Sequence, residues 1–137
     1  MTENQFDLGE ALSLLAFSEE NEHPLDQLVE ELTAEGFFHR MNGRLISRAE
    51  YADHFRELRK MAVGGGDLRT LQEVRHGDQI AARYLFTVNL ADDSKLVFEA
   101  LVFAAVREGR AAWIVEVNRP VEESDDPELA VVSAESQ

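Results

Sequence analysis

The run KLVFEALVFAAVREGRAAWIVEVNR, from Lys95 to Arg119, constrains this chain more than any other stretch. Val, Leu, Phe, Ile and Trp dominate both of its halves, and β-branched and aromatic residues suit a pleated, half-buried surface. Arg107-Glu108-Gly109-Arg110 divides the halves, with Gly109 providing the positive-φ position that a tight hairpin needs. The run therefore reads as two long antiparallel strands at the centre of a sheet. One acid interrupts it. Glu116 stands between Val115 and Val117, either on a wet face or in a pocket, and the functional question turns on which.

The segments before this hairpin supply its partners. Residues 1–4 are expected to be loose. Phe6, Ala11, Leu12, Leu15 and Ala16 have helical spacing, which predicts a helix over 5–18. After the polar break Glu19-Glu20-Asn21-Glu22-His23, Pro24 suits the first turn of a second helix, whose Leu25, Leu28, Val29 and Leu32 share one face. Gly36 follows and is read as its left-handed cap. The stretch GFFHRMNGRLIS predicts a short hairpin around Asn42-Gly43. Ser47 and Glu50 have the spacing of a capping box and open a third helix over 48–61. Gly64-Gly65-Gly66 ends it. This triple glycine is no phosphate loop, because a strand follows it and no Lys-Ser/Thr pair does. Strands are predicted over 67–75 and 79–90, and the central hairpin completes the set. The order, helices first and strands last, indicates an α+β domain with helices on one face of a curved sheet.

Composition narrows the function. With 137 residues the chain is expected to be one domain, over 1–120, followed by an acidic, mobile tail over 121–137. A formal net charge of −14 repels phosphate backbones and disfavours nucleic-acid binding. No run is long and apolar enough for a membrane span, and the acidic start MTENQFDLGE lacks the basic character of a targeting signal. A cytoplasmic location follows as the expectation. There is no cysteine, so thiolate chemistry and Cys-ligated metals are excluded.

Alternation sorts the strands into two faces. Ile80, Ala82, Tyr84, Phe86 and Val88 share one face with Phe98, Ala100, Val102 and Ala104 and with Ala112, Ile114, Glu116 and Asn118. Aromatics alternate with alanines there, which leaves room for helices. Leu85, Leu101, Phe103, Trp113, Val115 and Val117 fall on the other face and form an apolar patch that no remaining element covers. Such a patch marks an interface, and a homodimer packed sheet to sheet is expected.

The ordered set FFHRMNGRLISRAEYADHF, GDQIAARYLFTV and FEALVFAAVREGRAAWIVEVN resembles the nuclear transport factor 2-like superfamily, and within it the SnoaL-like proteins, over residues 5–120. The resemblance implies a cone-shaped α+β fold. Three N-terminal helices pack on a strongly curved, mostly antiparallel sheet and leave an apolar pocket at its open end. It also implies a dimer. The superfamily includes ketosteroid isomerases, polyketide cyclases, epoxide hydrolases and dehydratases, so the fold does not decide the reaction. Several of its enzymes carry an inward acid seven positions after the turn glycine, which here is Glu116. Other family positions are altered. Tyr84 and Phe86 stand where the epoxide hydrolases place an Arg and an Asp. Val102 or Leu101 occupies the position of an oxyanion-binding Asp of the isomerases, and His39 lies near their catalytic Asp.

These readings give a set of site residues. Glu116 is the candidate general acid/base, and an apolar wall should raise its pKa toward the range useful for proton transfer. His39 shares strand parity with Phe37 and Met41 and is the candidate assistant. Tyr84 and Asn118 are expected to hold polar atoms of the ligand. Tyr51, Phe55, Phe86, Phe98, Val102 and Ile114 are expected to line the pocket. His54 is read as half exposed, and no role falls to it, His23 or His76. No metal or cofactor is expected. Two functions remain: a cofactor-independent isomerase, cyclase, dehydratase or hydrolase acting on a hydrophobic molecule, or a non-catalytic ligand-binding or dimeric scaffold protein.

Overall fold

Local signals in the sequence place most of the elements. The computed structural model describes residues 6–121, so the loose start over 1–4 and almost all of the acidic tail lie outside the described residues. Helix α1 (Leu8–Phe17) starts at Asp7, whose side chain accepts a hydrogen bond from the Glu10 amide at 3.0 Å. Such a cap satisfies one of the orphan N–H groups of the first turn. Helix α2 (Leu25–Leu32) runs without a loop into strand β1 (Thr33–Met41). Strand β2 (Arg44–Ile46) returns through Asn42 and Gly43, both with positive φ, as the mirror-image hairpin turn requires. Helix α3 (Arg48–Met61) carries the predicted capping box, with reciprocal Ser47 and Glu50 contacts.

Strands β3 (Gly66–His76), β4 (Gln79–Asn89), β5 (Lys95–Arg107) and β6 (Arg110–Pro120) follow as an antiparallel meander. The six strands form one curved sheet in the order β2-β1-β6-β5-β4-β3. The long hairpin, β5 with β6, therefore sits near its middle. The turn between them uses Glu108 as well as Gly109 in the left-handed region. The β1–β6 pair is parallel, with His39 opposite Ile114 and Met41 opposite Glu116. All other pairs are antiparallel.

The face assignment from alternation holds for the core. Ile80, Tyr84, Val88, Ala100, Val102 and Ile114 are buried under the helices, together with Leu12, Leu15, Leu25, Tyr51 and Phe55. Arginines tie the helices to one another. Arg59 of α3 donates to the carbonyls of Leu14 and Leu15 at the end of α1, at 3.1 and 2.9 Å. Arg48 donates to the Thr33 hydroxyl at 2.7 Å and to its carbonyl at 3.0 Å, holding the start of α3 on the α2–β1 junction. The Leu15 carbonyl lies in the last turn of α1, where helix carbonyls lack an intrahelical donor. Among the described residues no helix is long and apolar enough to cross a membrane.

Gly36 differs from its expected role. It is no helix cap: α2 ends at Leu32, and Gly36 lies within β1 at φ +84. The pairing of β1 with β6 shifts register between Thr33 and Phe38, and Gly36 turns the chain inside that irregularity. A Cβ there would meet no atom within 4 Å, so the requirement is backbone conformation alone. Gly36→Ala is expected to cost about 1–2 kcal/mol, the penalty of left-handed backbone for an L-residue. Urea denaturation would measure it, and an unchanged midpoint would show that the bend does not depend on glycine.

Candidate active site

The parallel pairing of β1 with β6 brings the two leading candidates together. His39 Nε2 lies 2.9 Å from Glu116 Oε1. His39 is fully buried, and the Glu116 side chain is 12 % exposed. The other carboxylate oxygen, Oε2, accepts from Asn118 Nδ2 at 3.0 Å. Asn118 is held in turn by the hairpin tip: Asn42 Nδ2 donates to Asn118 Oδ1 at 3.3 Å, and the Asn118 amide donates to Asn42 Oδ1 at 3.0 Å. The Asn42 amide donates to the Glu116 carbonyl at 2.9 Å. Asn42 thus serves twice, as the left-handed turn residue and as the strut of Asn118.

The His39 ring is packed edge-on to Tyr51, with centroids 4.8 Å apart, and its Nδ1 has no hydrogen-bond partner. The carboxylate requires a proton on Nε2. A second proton would sit on Nδ1 with no acceptor, so this packing suits the neutral Nε2–H tautomer.

Glu116 opens onto a cavity of about 290 Å³ between α3 and the inner face of the sheet. Asn118, Phe55, Phe86, Phe98 and Val102, all expected there, belong to its wall. Phe86 and Phe98 stack with centroids 4.8 Å apart. Four other candidates do not line it. His39 stands behind Glu116, and Tyr51 packs behind His39 and Phe55. Ile114 is buried beside His39 in the strand register. Tyr84 is fully buried at some remove, with its ring 3.4 Å from where a Cβ on Gly9 of α1 would sit, and its hydroxyl has no partner. Alternation assigned the correct face to Tyr84, but a face says nothing of position along the strand.

Several wall residues had no assigned role. Helix α3 presents His54, Phe55, Glu57, Leu58 and Met61, a single stripe at helical spacing. The expected stripe through Tyr51, Phe55 and Leu58 runs alongside it. His54 is exposed at the rim with its ring edge-on to Phe55, and burial of that contacting side lowers its pKa. Met41 joins from β1 and Leu96 from β5. Among the described residues no group of three His, Cys, Asp or Glu side chains is arranged to hold a metal ion.

The electrostatics of Glu116 overturn one expectation. Burial does push its carboxyl up, but the hydrogen bond and field of the His39 ring, the Asn118 amide and His54 pull harder. The net direction is below the ordinary glutamate value of 4.5, so the group is an ionised carboxylate at neutral pH. The same charge, after burial, pushes the Tyr51 phenol well up. A folded-state value below the unfolded one makes ionised Glu116 stabilising. That contribution is complete above the unfolded value and is lost as pH falls through the folded one. Carboxyl NMR is expected to show Glu116 titrating below 4.5 in the wild type. In His39→Leu, burial meets less opposition and the group should titrate above the ordinary value. An unmoved titration in the variant would remove His39 as the cause.

No protein-family model matches the sequence, and no curated protein matches it. Solved structures do. A nuclear transport factor 2-like (NTF2-like) protein from Anabaena variabilis superposes with a TM-score of 0.63 at 12% identity, over 83% of this chain and 84% of that one. An LEH-like epoxide hydrolase of M. tuberculosis gives 0.59 at 13% identity, over 81% of each chain. A hypothetical protein with a ketosteroid isomerase-like fold from Catenulispora acidiphila, in complex with trimethylamine, gives 0.59 at 9% identity, over 76% and 78%. At these identities the likeness is one of fold: the chain has the nuclear transport factor 2-like fold shared by ketosteroid isomerase-like proteins and LEH-like epoxide hydrolases.

Proposed function

We propose that this protein acts on a hydrophobic small molecule held in the cavity between α3 and the sheet, without a cofactor, and that Glu116 is the group that exchanges a proton with it. One observation carries the reading. A carboxylate fixed by His39 at 2.9 Å forms part of the wall of an otherwise largely apolar cavity of about 290 Å³. An oriented acid/base in a water-poor pocket is the arrangement proton transfer needs. Glu116 would take a proton from the substrate and return it at a second position or to a leaving oxygen, which covers isomerisation, cyclisation, dehydration and hydrolysis. His39 and Asn118 would be positioning residues, since both act on the carboxylate. The cone-shaped enclosure typical of the fold, and a neighbour of that fold holding trimethylamine, support a small-molecule ligand.

A second reading, a binding protein without catalysis, has its own support. A carboxylate held below the ordinary range is a weak base. Phe86, and Val102 or Leu101, stand where enzymes of the resembled families carry acids, and Phe86 and Val102 are in the wall. The two readings part in one experiment. Incubated with a metabolite extract and followed by mass spectrometry, the wild type should deplete a hydrophobic species and Glu116→Gln should slow that depletion by about 10²–10⁴-fold. A species retained unchanged by both proteins would decide for binding alone. Equal depletion by both would remove Glu116 from the chemistry.

Pairing through the outer sheet face belongs to the same proposal. Phe103, Val117 and Leu101 are 59, 54 and 42 % exposed. Leu101 is opposite Val117 and Phe103 is opposite Val115 across β5 and β6, so the residues form one stripe. Burying it against a second copy removes apolar surface from water. Sedimentation should find a wild-type dimer that Phe103→Glu converts to a monomer. A monomeric wild type at tens of micromolar would end this part of the proposal.

A further inference from the structure

We infer that the ligand of this cavity is a hydrophobic cation, a tertiary or quaternary amine small enough for about 290 Å³, seated with its charge on Glu116. The inference rests on the cavity reading above and adds the chemical class of the occupant.

Among the described residues the wall contains no lysine and no arginine. Its charged members are Glu116 and Glu57, and Glu57 sits at the exposed rim with Lys60 Nζ 3.1 Å away. The carboxylate inside is therefore Glu116. Its nearest partners are the His39 imidazole, whose buried Nδ1 has no acceptor for a second proton, and an amide, Asn118. Each carboxylate oxygen accepts one hydrogen bond from these partners and keeps a lone pair that a protonated tertiary amine could use, while a quaternary ammonium, having no N–H, would meet the carboxylate by charge alone.

That leaves an incomplete ion pair. A neutral apolar ligand pressed on Glu116 would strip the remaining water from a charged group and return nothing. An anion would be repelled. An ammonium group completes the pair, and its apolar substituents match the remaining wall. The rings of Phe55, Phe86 and Phe98 carry negative π faces that tolerate a positive charge better than aliphatic walls do. The thioethers of Met41 and Met61 are polarisable. The formal charge of −14 on the whole chain favours the approach of cations over anions.

The test compares benzyltrimethylammonium with its uncharged carbon isostere, neopentylbenzene, and with phenylacetate, by titration calorimetry at neutral pH. The cation is expected to bind the wild type at least about tenfold tighter than the isostere, and phenylacetate more weakly than either. In Glu116→Gln the preference for the cation should vanish while the isostere still binds. Equal affinities of cation and isostere in the wild type would overturn the inference and leave the cavity reading standing. Failure of all three probes to bind would overturn both. The wild-type comparison decides the matter even if the variant does not fold.

Discussion

The hydrogen bond between His39 Nε2 and Glu116 Oε1 joins residues 77 positions apart, and the chemistry of the interior depends on it. A carboxylate in an apolar wall is costly unless it is paired. The pairing here is built by topology. Strand β1 must lie parallel to β6, in the register that sets Met41 opposite Glu116, before the imidazole can reach the acid. Two local devices hold that register. The bend at Gly36 takes up the register shift between Thr33 and Phe38 in the pairing with β6, and the Asn42-Gly43 turn clamps the other end through Asn118 and the Glu116 carbonyl. Loss of the strand pairing would leave an unpaired charge against Phe55 and Phe86, so fold and site are coupled through one bond.

That coupling sets the chemical character of the acid. Burial alone would make Glu116 a protonated, poised group of the kind often used in general acid catalysis. The donors around it reverse the sign and keep it ionised. What the site gains in fixed charge it gives up in basicity. A weak base suits a substrate whose proton is already acidic, or a ligand whose charge is only to be held, and both fit a positively charged occupant better than a neutral one.

The elements that could be read in the sequence are those decided by neighbours in the chain. The Ser47–Glu50 box, the Asn42-Gly43 turn and the Lys95–Arg119 hairpin each depend on residues a few positions apart. Strand alternation likewise put Glu116, His39 and Asn118 on the inner face. What it could not supply was depth. Tyr84 and Ile114 share that face with Phe86 and Glu116, yet they pack in the core and the others meet the cavity. Nor could it show that β1 lies next to β6, so the bond that lowers the Glu116 pKa was out of reach, and burial alone pointed in the wrong direction. On α3 a polar residue beside an apolar stripe looked like surface. His54 is exposed, but the stripe it belongs to is the one that walls the cavity.

A comparison within the same sheet sets Glu116 apart from a second acid, Glu99. Glu99 is also buried, at 5 % exposure, on the opposite face of the adjacent strand. Its two oxygens are taken by guanidinium groups: Oε2 by Arg83, with contacts at 3.1 and 3.2 Å, and Oε1 by Arg119 at 3.2 Å. Arginine does not give up its charge, so this cluster is saturated. Glu116 is handled differently. An imidazole and an amide orient it without matching its charge, and its open side faces empty apolar space. Among the described residues the sheet thus carries one acid closed by two guanidinium groups and one held by an imidazole and an amide beside a cavity. Only the second has something to offer a ligand.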